Sequence, residues 1–574
     1  MSEKKDPLLP APPMPKARQY PCWTRHFALA LMLFLTASFW SLIYIRDYTP
    51  FHWTAEYISG ERCPQVEPLD PRAAAGSDEL ARMDEYIASD AFVNDTVRHM
   101  AGAIQIPSVS YDDLGPVGED PRWDVMYDVA EYLRRTFPRV HEKLQLEKVN
   151  THGLLYTWEG SDPALKPTVL MAHQDVVPVA EDTVDRWTHP PFSGAFDGKL
   201  IWGRGASDCK NTLIGSLEAV ELLLEAGFQP KRTLVLSFGF DEEISGLQGA
   251  RYLAGVLLAR YGPGGVASIV DEGAGIQEMW GTTFATPGVA EKGYVDVEIA
   301  VRTKGGHSSI PPPHTGIGIL AEIITEVEEH TYEPWFAPKN PFLDLLQCGA
   351  AHADEFPRKL KKLLPDVRHA SHKKKDKLAH EAAKMGPEVK YLFTTSSAVD
   401  IVGGGVKVNA LPERVHAIVN HRINVGETSK DVEAHIARVV GKVAEKHNLT
   451  LHAFDGEEEV GSVALSTTPK TLESAPVTPT EVGRTTAYSV LAGTTRGLYE
   501  DVVVAPGIMT GNTDTRHYWD LTENIFRFSP GWDPEFDSLK GIHTVDENVS
   551  VKAHVRTVQW YSAFIRNMDE ADLE

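Results

Sequence analysis

The run "VLMAHQDVVPV" (169–179) carries a hydrophobic stretch up to His173 and, one residue later, Asp175. A single His-x-Asp reads equally well as a capped strand end. Three further stretches change that reading. "GRGASDCKN" holds Asp208 just ahead of a helical pattern. "FGFDEEISG" holds Asp241, Glu242 and Glu243 at the end of an apolar run, and "IVDEG" holds Asp271 and Glu272 at the end of another. So many acids gathered in one place would repel one another and resist burial. A pair of divalent metal ions removes the conflict. Imidazole nitrogen with carboxylate oxygens suits zinc, with manganese or cobalt also compatible.

The elements that must position these residues alternate from about residue 150. "TVLMAHQD", "TLVLSFGFDEE" and "ASIVDEG" read as strands. "NTLIGSLEAVELLLEAG" has Leu213, Ile214, Leu217, Val220 and Leu224 at helical spacing and closes on Gly227. Helical patterns also occupy 83–104 and 122–136. The expected fold is therefore α/β, a mostly parallel sheet with flanking helices, and sites in such sheets form at the carboxyl ends of the strands. Near 291 the pattern changes. "YVDVEIAVRT" alternates with period two, a helix follows over 315–329, and "RVHAIVNHRI", a helix at 430–447 and "LTLHAF" complete a second unit. This predicts a smaller α+β domain at 292–454, interrupting a catalytic domain at 81–291 and 455–574. Its insertion carries "RKLKKLL" and "HKKKDK"; a solvated helix face is favoured there over an anion-binding patch.

The chain has 574 residues and a formal net charge of −24, so more than one domain is expected and nucleic acid is an unsuitable partner. Cys22, Cys63, Cys209 and Cys348 form no C-x-x-C pair. "HFALALMLFLTASFWSLIYI" runs from His26 to Ile45 without an acid or a lysine. It is long enough to span a bilayer, and it ends on bulky Tyr44 and Ile45 rather than a small-residue cleavage site. Five basic residues precede it, while Arg46 and Arg62 follow. This predicts a cytosolic tail at 1–25, a signal anchor at 26–46, a stem at 47–80 and a lumenal enzyme, a type II arrangement. Sequons at Asn94, Asn448 and Asn548 are compatible with a lumen.

Together "HQD", "GRGASDCKN", "DEEISG", "DEG", "GGHSSIPP", "GNTDTRHY" and "GIHTVDE", spread over 173–547, resemble the co-catalytic di-zinc aminoacylase and carboxypeptidase metallopeptidases. The carboxypeptidase S branch, with its N-acyl amino acid hydrolases, is the most similar. The resemblance implies two zinc ions, held by His173, Asp208 as the bridge, Glu243, His543 and one acid of "DEG". Asp271 and Glu272 both fit that position, and Asp271 is preferred. It implies that Asp175 orients His173, that Glu242 is the general base for a metal-activated water, and that His307 of the lid donates to the developing oxyanion across a domain or subunit boundary. Asn409, Arg422, Thr513 and Arg516 stand where substrate-facing residues are expected, beside Asp514. The implied activity is cleavage of the C-terminal amide of short peptides with a free carboxylate, in a vacuole-like lumen. Hydrolysis or synthesis of N-acyl amino acids is the alternative within the family, and a metal-free receptor ectodomain the one outside it. A homodimer is compatible with the resemblance.

Overall fold

The computed structural model describes residues 62–71, 78–337, 339–367, 377–536 and 541–574. The 1–25 tail, the 26–46 span and most of the 47–80 stem lie outside the described residues. Among those described, no helix is long and apolar enough to cross a membrane. In chain order the elements that place the site are α1 (Asp90–Ile104), β1 (Gln145–Val149), β2 (Gly153–Trp158), β3 (Thr168–His173), α2 (Lys210–Glu225), β4 (Leu234–Gly239), α3 (Ala250–Tyr261), β5 (Ser268–Ala274), β6 (Gly288–Glu291), β7 (Gly293–Arg302), α4 (Gly316–Glu329), β8 (Ser396–Gly404), β9 (Arg414–Ile423), α5 (Ser429–Lys446), β10 (Thr450–Ala453), β11 (Ser462–Thr467), α6 (Ala487–Leu498), β12 (Gly507–Met509), β13 (Ile525–Phe528) and α7 (Val551–Glu570).

The main sheet has eight strands in the order β1-β2-β4-β3-β5-β13-β6-β12. Its centre is parallel, through β4, β3, β5 and β13. The pair β6–β12 is also parallel, while β1–β2, β2–β4 and β6–β13 run antiparallel, so the sheet is mixed, with four of its seven strand pairs parallel. The physical reason is visible at β1–β2: a turn of three residues can join antiparallel strands, whereas a parallel pair needs a long crossover. All six residues of β3 and of β4 are buried. Each buried Val or Leu there contributes roughly 1.5–3 kcal/mol, and it is this apolar packing that holds polar strand ends in place.

A second sheet, β8-β9-β7-β11-β10, forms the smaller domain. The alternation seen in "YVDVEIAVRT" and "RVHAIVNHRI" is the alternation of burial along β7 and β9. Val297, Ile299 and Val419 pack against Ile319 and Ile323 of α4 and Ile436 and Val440 of α5. Two features depart from the expected 292–454 boundaries. Strand β11, at Ser462–Thr467, belongs to this sheet. Most of the insertion between α4 and β8 packs elsewhere: Tyr332 stays against the smaller sheet, but Phe342, Leu345, Leu346 and Leu360 share a core with Phe284, Val503 and Ile508 of the catalytic side. In the helix Arg358–Val367, Leu360 and Leu364 point inward and Lys359 pairs with Glu381, so "RKLKKLL" is an amphipathic helix with a solvated basic face.

Part of the expected stem is bound to the fold. Leu69 N–H donates to Gly493 O, Gln65 bonds both polar groups of the Val504 backbone, and Cys63 forms a disulfide with Cys348.

Candidate metal centre

His173 is the last residue of β3, with its Nδ1 2.9 Å from Asp175 O and 3.3 Å from Asp175 Oδ1. That contact turns Nε2 outward, where it meets Asp208 Oδ1 at 3.0 Å and Glu272 Oε1 at 3.2 Å. The other oxygen of Asp208 lies 3.0 Å from His543 Nε2, which is also 3.1 Å from Glu243 Oε2. Two groups of potential ligand atoms therefore share one carboxylate: His173, Asp208 and Glu272 on one side, with the Cys209 sulfur close by, and Asp208, Glu243 and His543 on the other.

Each ligand is carried by a different element. Asp208 lies just before Cys209, the residue that caps α2, and its backbone N–H and that of Ser207 donate to the fully buried Glu547. Glu547 also receives Arg204. Glu242 and Glu243 lie on a short helical turn after β4, and both of their backbone N–H groups donate to the Asp175 carboxylate, which also accepts from Ser110. Asp175 thus supports His173 and the turn bearing both glutamates. The turn closes on Gly246 at φ +66, where any Cβ would come within 2.2 Å of Asp514 Oδ1. His543 is half exposed, and Asp546 beside it accepts from Thr188.

Of the two acids in "DEG", Glu272 joins the cluster. Asp271, the preferred ligand at the sequence level, instead folds Oδ1 back onto the Glu272 N–H at 2.9 Å. Successive residues of a strand face opposite ways, so only one of the two can turn to the site. Thr513 is likewise repositioned. It is 3% exposed, and its N–H and hydroxyl both donate to buried Glu291, so it braces its loop instead of facing a substrate. Arg516 places Nη2 3.6 Å from Glu242 Oε1. Arg422 bonds Asn512 Oδ1 at 3.2 Å and stacks over Tyr294. His307 pairs with Ala410 on a small two-stranded ladder of the smaller domain, and Asn409 O beside it accepts from Ser308 N–H; both His307 and Asn409 are exposed, and neither belongs to the two ligand groups.

The electrostatics argue for bound cations. Burial above all, then neighbouring acids, raises Glu272 to about 8 and Asp271 to about 6, and pushes Glu242 well above the carboxylate range. His543 is raised to about 10 by its bonds to Asp208 and Glu243. Glu243 Oε1 is buried without a hydrogen-bond partner. Carboxylates so exceed cations that the site suits two divalent ions, and nitrogen-plus-oxygen donor sets fit zinc.

Two residues were not singled out from the sequence: Glu547, which fixes the backbone around Asp208, and Asn512, which holds Arg422. Both lie inside quoted stretches, "GIHTVDE" and "GNTDTRHY", but their partners are more than 80 positions away.

Comparison with known proteins gives a consistent result. Residues 169–567 match the model of "Peptidase family M20/M25/M40". Carboxypeptidase S of Saccharomyces cerevisiae is 40% identical over 97% of this chain and 99% of its own length. The N-fatty-acyl-amino acid synthase/hydrolase PM20D1 of Mus musculus is 33% identical over 82% of this chain and 87% of its own. Among solved structures, human carnosine dipeptidase 1 has a TM-score of 0.57 at 14% identity, covering 86% of this chain and 99% of that one, a likeness of fold.

Proposed function

The chain belongs to the M20/M25/M40 peptidase family, and from that premise we infer what its site does. It is a hydrolase, a metallo-carboxypeptidase. We propose that it releases the C-terminal residue of short peptides bearing a free carboxylate, using two zinc ions. The observation that carries this reading is Asp208, whose two oxygens are divided between two ligand groups, with Glu242 next to one of the ligands. Bound there, zinc would supply a Lewis acid that acidifies water and polarises the scissile carbonyl. His173, Asp208 and Glu272 would hold one ion, and Asp208, Glu243 and His543 the other.

Glu242 is free for the proton work. Its carboxylate belongs to neither ligand group, and burial raises its proton affinity toward the range a general base needs. It takes a proton from the attacking water and returns it to the leaving amine. Arg516 at its side and Arg422 beyond provide guanidinium groups suited to the substrate's carboxylate. His307 from the smaller domain serves the developing oxyanion.

Similarity to the mouse synthase/hydrolase supports a second reading, N-acyl amino acids as substrates. A type II anchor with the enzyme in a vacuolar or secretory lumen remains our proposal for location. The Cys63–Cys348 disulfide supports an oxidising compartment, and the sequons Asn94 and Asn448 are exposed.

The test presents the full chain, purified in detergent with zinc, with blocked dipeptides, N-acyl amino acids and the C-terminal amides of both. Cleavage confined to free-carboxylate peptides supports the main reading. Preference for long acyl chains selects the second, and equal cleavage of the amides refutes carboxylate recognition. Glu242→Gln should keep both metals and lose about 10²–10⁴ in kcat; near-normal turnover would remove Glu242 as the base.

A further inference from the structure

Lys292 is the single residue between β6 of the main sheet and β7 of the smaller one. Its N–H donates to Met509 O at 3.0 Å. Its ammonium donates to Tyr391 O at 3.0 Å and Thr394 O at 2.7 Å, just ahead of β8. Its carbonyl accepts from Asn512 Nδ2 at 2.6 Å. Strand β8 then pairs Ser396 with Arg422 of β9, and the Ser396 hydroxyl accepts the Arg422 N–H. The backbone of Arg422 is thus referenced to the domain junction through one route, and its side chain through Asn512.

The carbonyl of Lys292 can only accept, so the Asn512 amide group must face it, leaving Oδ1 for Arg422 Nη1 at 3.2 Å. Asn512 itself is held because the next residues, Thr513 and Thr515, are bonded to buried Glu291, which also binds Arg527. Among the described residues, Arg422 has no carboxylate ion-paired to it. Asp296 and Asp400 act on it without making an ion pair, and Arg516, which stands beside Glu242, opposes them.

We propose that Asn512 is a positioning residue for substrate recognition: its carboxamide, clamped to the Lys292 carbonyl, aims the Arg422 guanidinium at the substrate's free carboxylate while making no ion pair with it. A neutral acceptor occupies one of five N–H donors and keeps the fork available for a carboxylate. An acid at 512 would ion-pair with Arg422 and compete with the substrate's carboxylate for it. This inference rests on the free-carboxylate reading given above.

The experiment uses the zinc-loaded full chain. Asn512→Asp should raise KM for a free-carboxylate substrate by about tenfold or more, with kcat within about threefold, because uniform binding is what is lost. Binding of the free product amino acid, measured by calorimetry without turnover, should weaken in parallel, while binding of its amide changes less than about twofold. Asn512→Ala should raise KM in the Arg422 background and add nothing to Arg422→Met, since it acts through that side chain. Losses that multiply in the double variant, or a fall in kcat alone, would overturn the proposal. If Asn512→Asp does not fold, the alanine cycle decides by itself. A wild-type protein that neither cleaves nor binds free-carboxylate ligands would instead refute the substrate reading, a result distinct from normal recognition that substitution of Asn512 leaves untouched.

Discussion

At the scale of residues, the centre turns on which of two adjacent acids faces it. The Glu272 carboxylate is 3.2 Å from His173 Nε2, while Asp271 caps the Glu272 amide. Glu272→Ala should therefore reduce bound metal from two ions toward one, measured by elemental analysis on protein of verified fold. Asp271→Asn should retain both, since an amide oxygen still accepts the same backbone bond. The reverse pattern would return the ligand role to Asp271. Asp208 illustrates why such substitutions differ in weight. Burial pushes its proton affinity up, but His173 and His543, one on each oxygen, outweigh that and hold it below the usual carboxylate range. Removing it would disturb both ligand groups at once.

At the scale of elements, the ladder Gly306–His307 with Ala410–Leu411 presents the lid histidine. Ser309 N–H donates to His307 Nδ1 at 3.1 Å, which leaves Nε2 as the ring atom to donate to an oxyanion. His307→Ala should leave metal content and KM within a few-fold and lower kcat on the order of 10²–10³; a change in KM alone would move His307 to substrate binding. Away from the metal centre, α1, α2 and α7 meet at buried Glu218. Its carboxylate takes His99 at 2.7 Å, the Thr96 hydroxyl at 2.7 Å and His554 at 3.2 Å. Burial opposes the charge, yet bonds from His554 and His99 outweigh it and lower Glu218 to about 2 from 4.5. For an acid with a depressed folded pKa, the stabilisation is complete above pH 4.5 and fades as pH falls toward 2. The gap in unfolding free energy between wild type and Glu218→Gln should thus shrink by roughly 3 kcal/mol between pH 5 and pH 2. Denaturant titrations at several pH values measure it, and a constant gap would contradict the assignment.

At the scale of the whole molecule, the Cys63–Cys348 bond closes a loop with a sequence separation of 285. It ties the segment entering the catalytic domain to the helix Pro341–His352 in the insertion. Replacing both cysteines by serine should lower stability by about 2–4 kcal/mol, chiefly through the unfolded chain. Activity at 25 °C should persist, because neither sulfur belongs to the metal centre. An unchanged denaturation midpoint, measured with and without reductant, would show that the link adds nothing.

Local patterns were enough to place much of this protein. The apolar runs ending on His173, Asp241 and Asp271, the helix after Asp208, and the period-two strands of the smaller domain all follow from hydrophobic periodicity, which one stretch of chain carries within itself. The quoted motifs were likewise enough to identify the family. Tertiary structure decided what depends on partners far along the chain. Strand order made the main sheet mixed, and the insertion inside the smaller domain returned to the catalytic core because Phe284 and Ile508 offered it an apolar surface. Side-chain direction on β5 selected Glu272 over Asp271, and the burial of Glu291 turned Thr513 inward. Asn512 gained its importance from Lys292 and Arg422, 220 and 90 positions away. Periodicity records which face of an element is apolar; it holds no record of which distant group that face will meet.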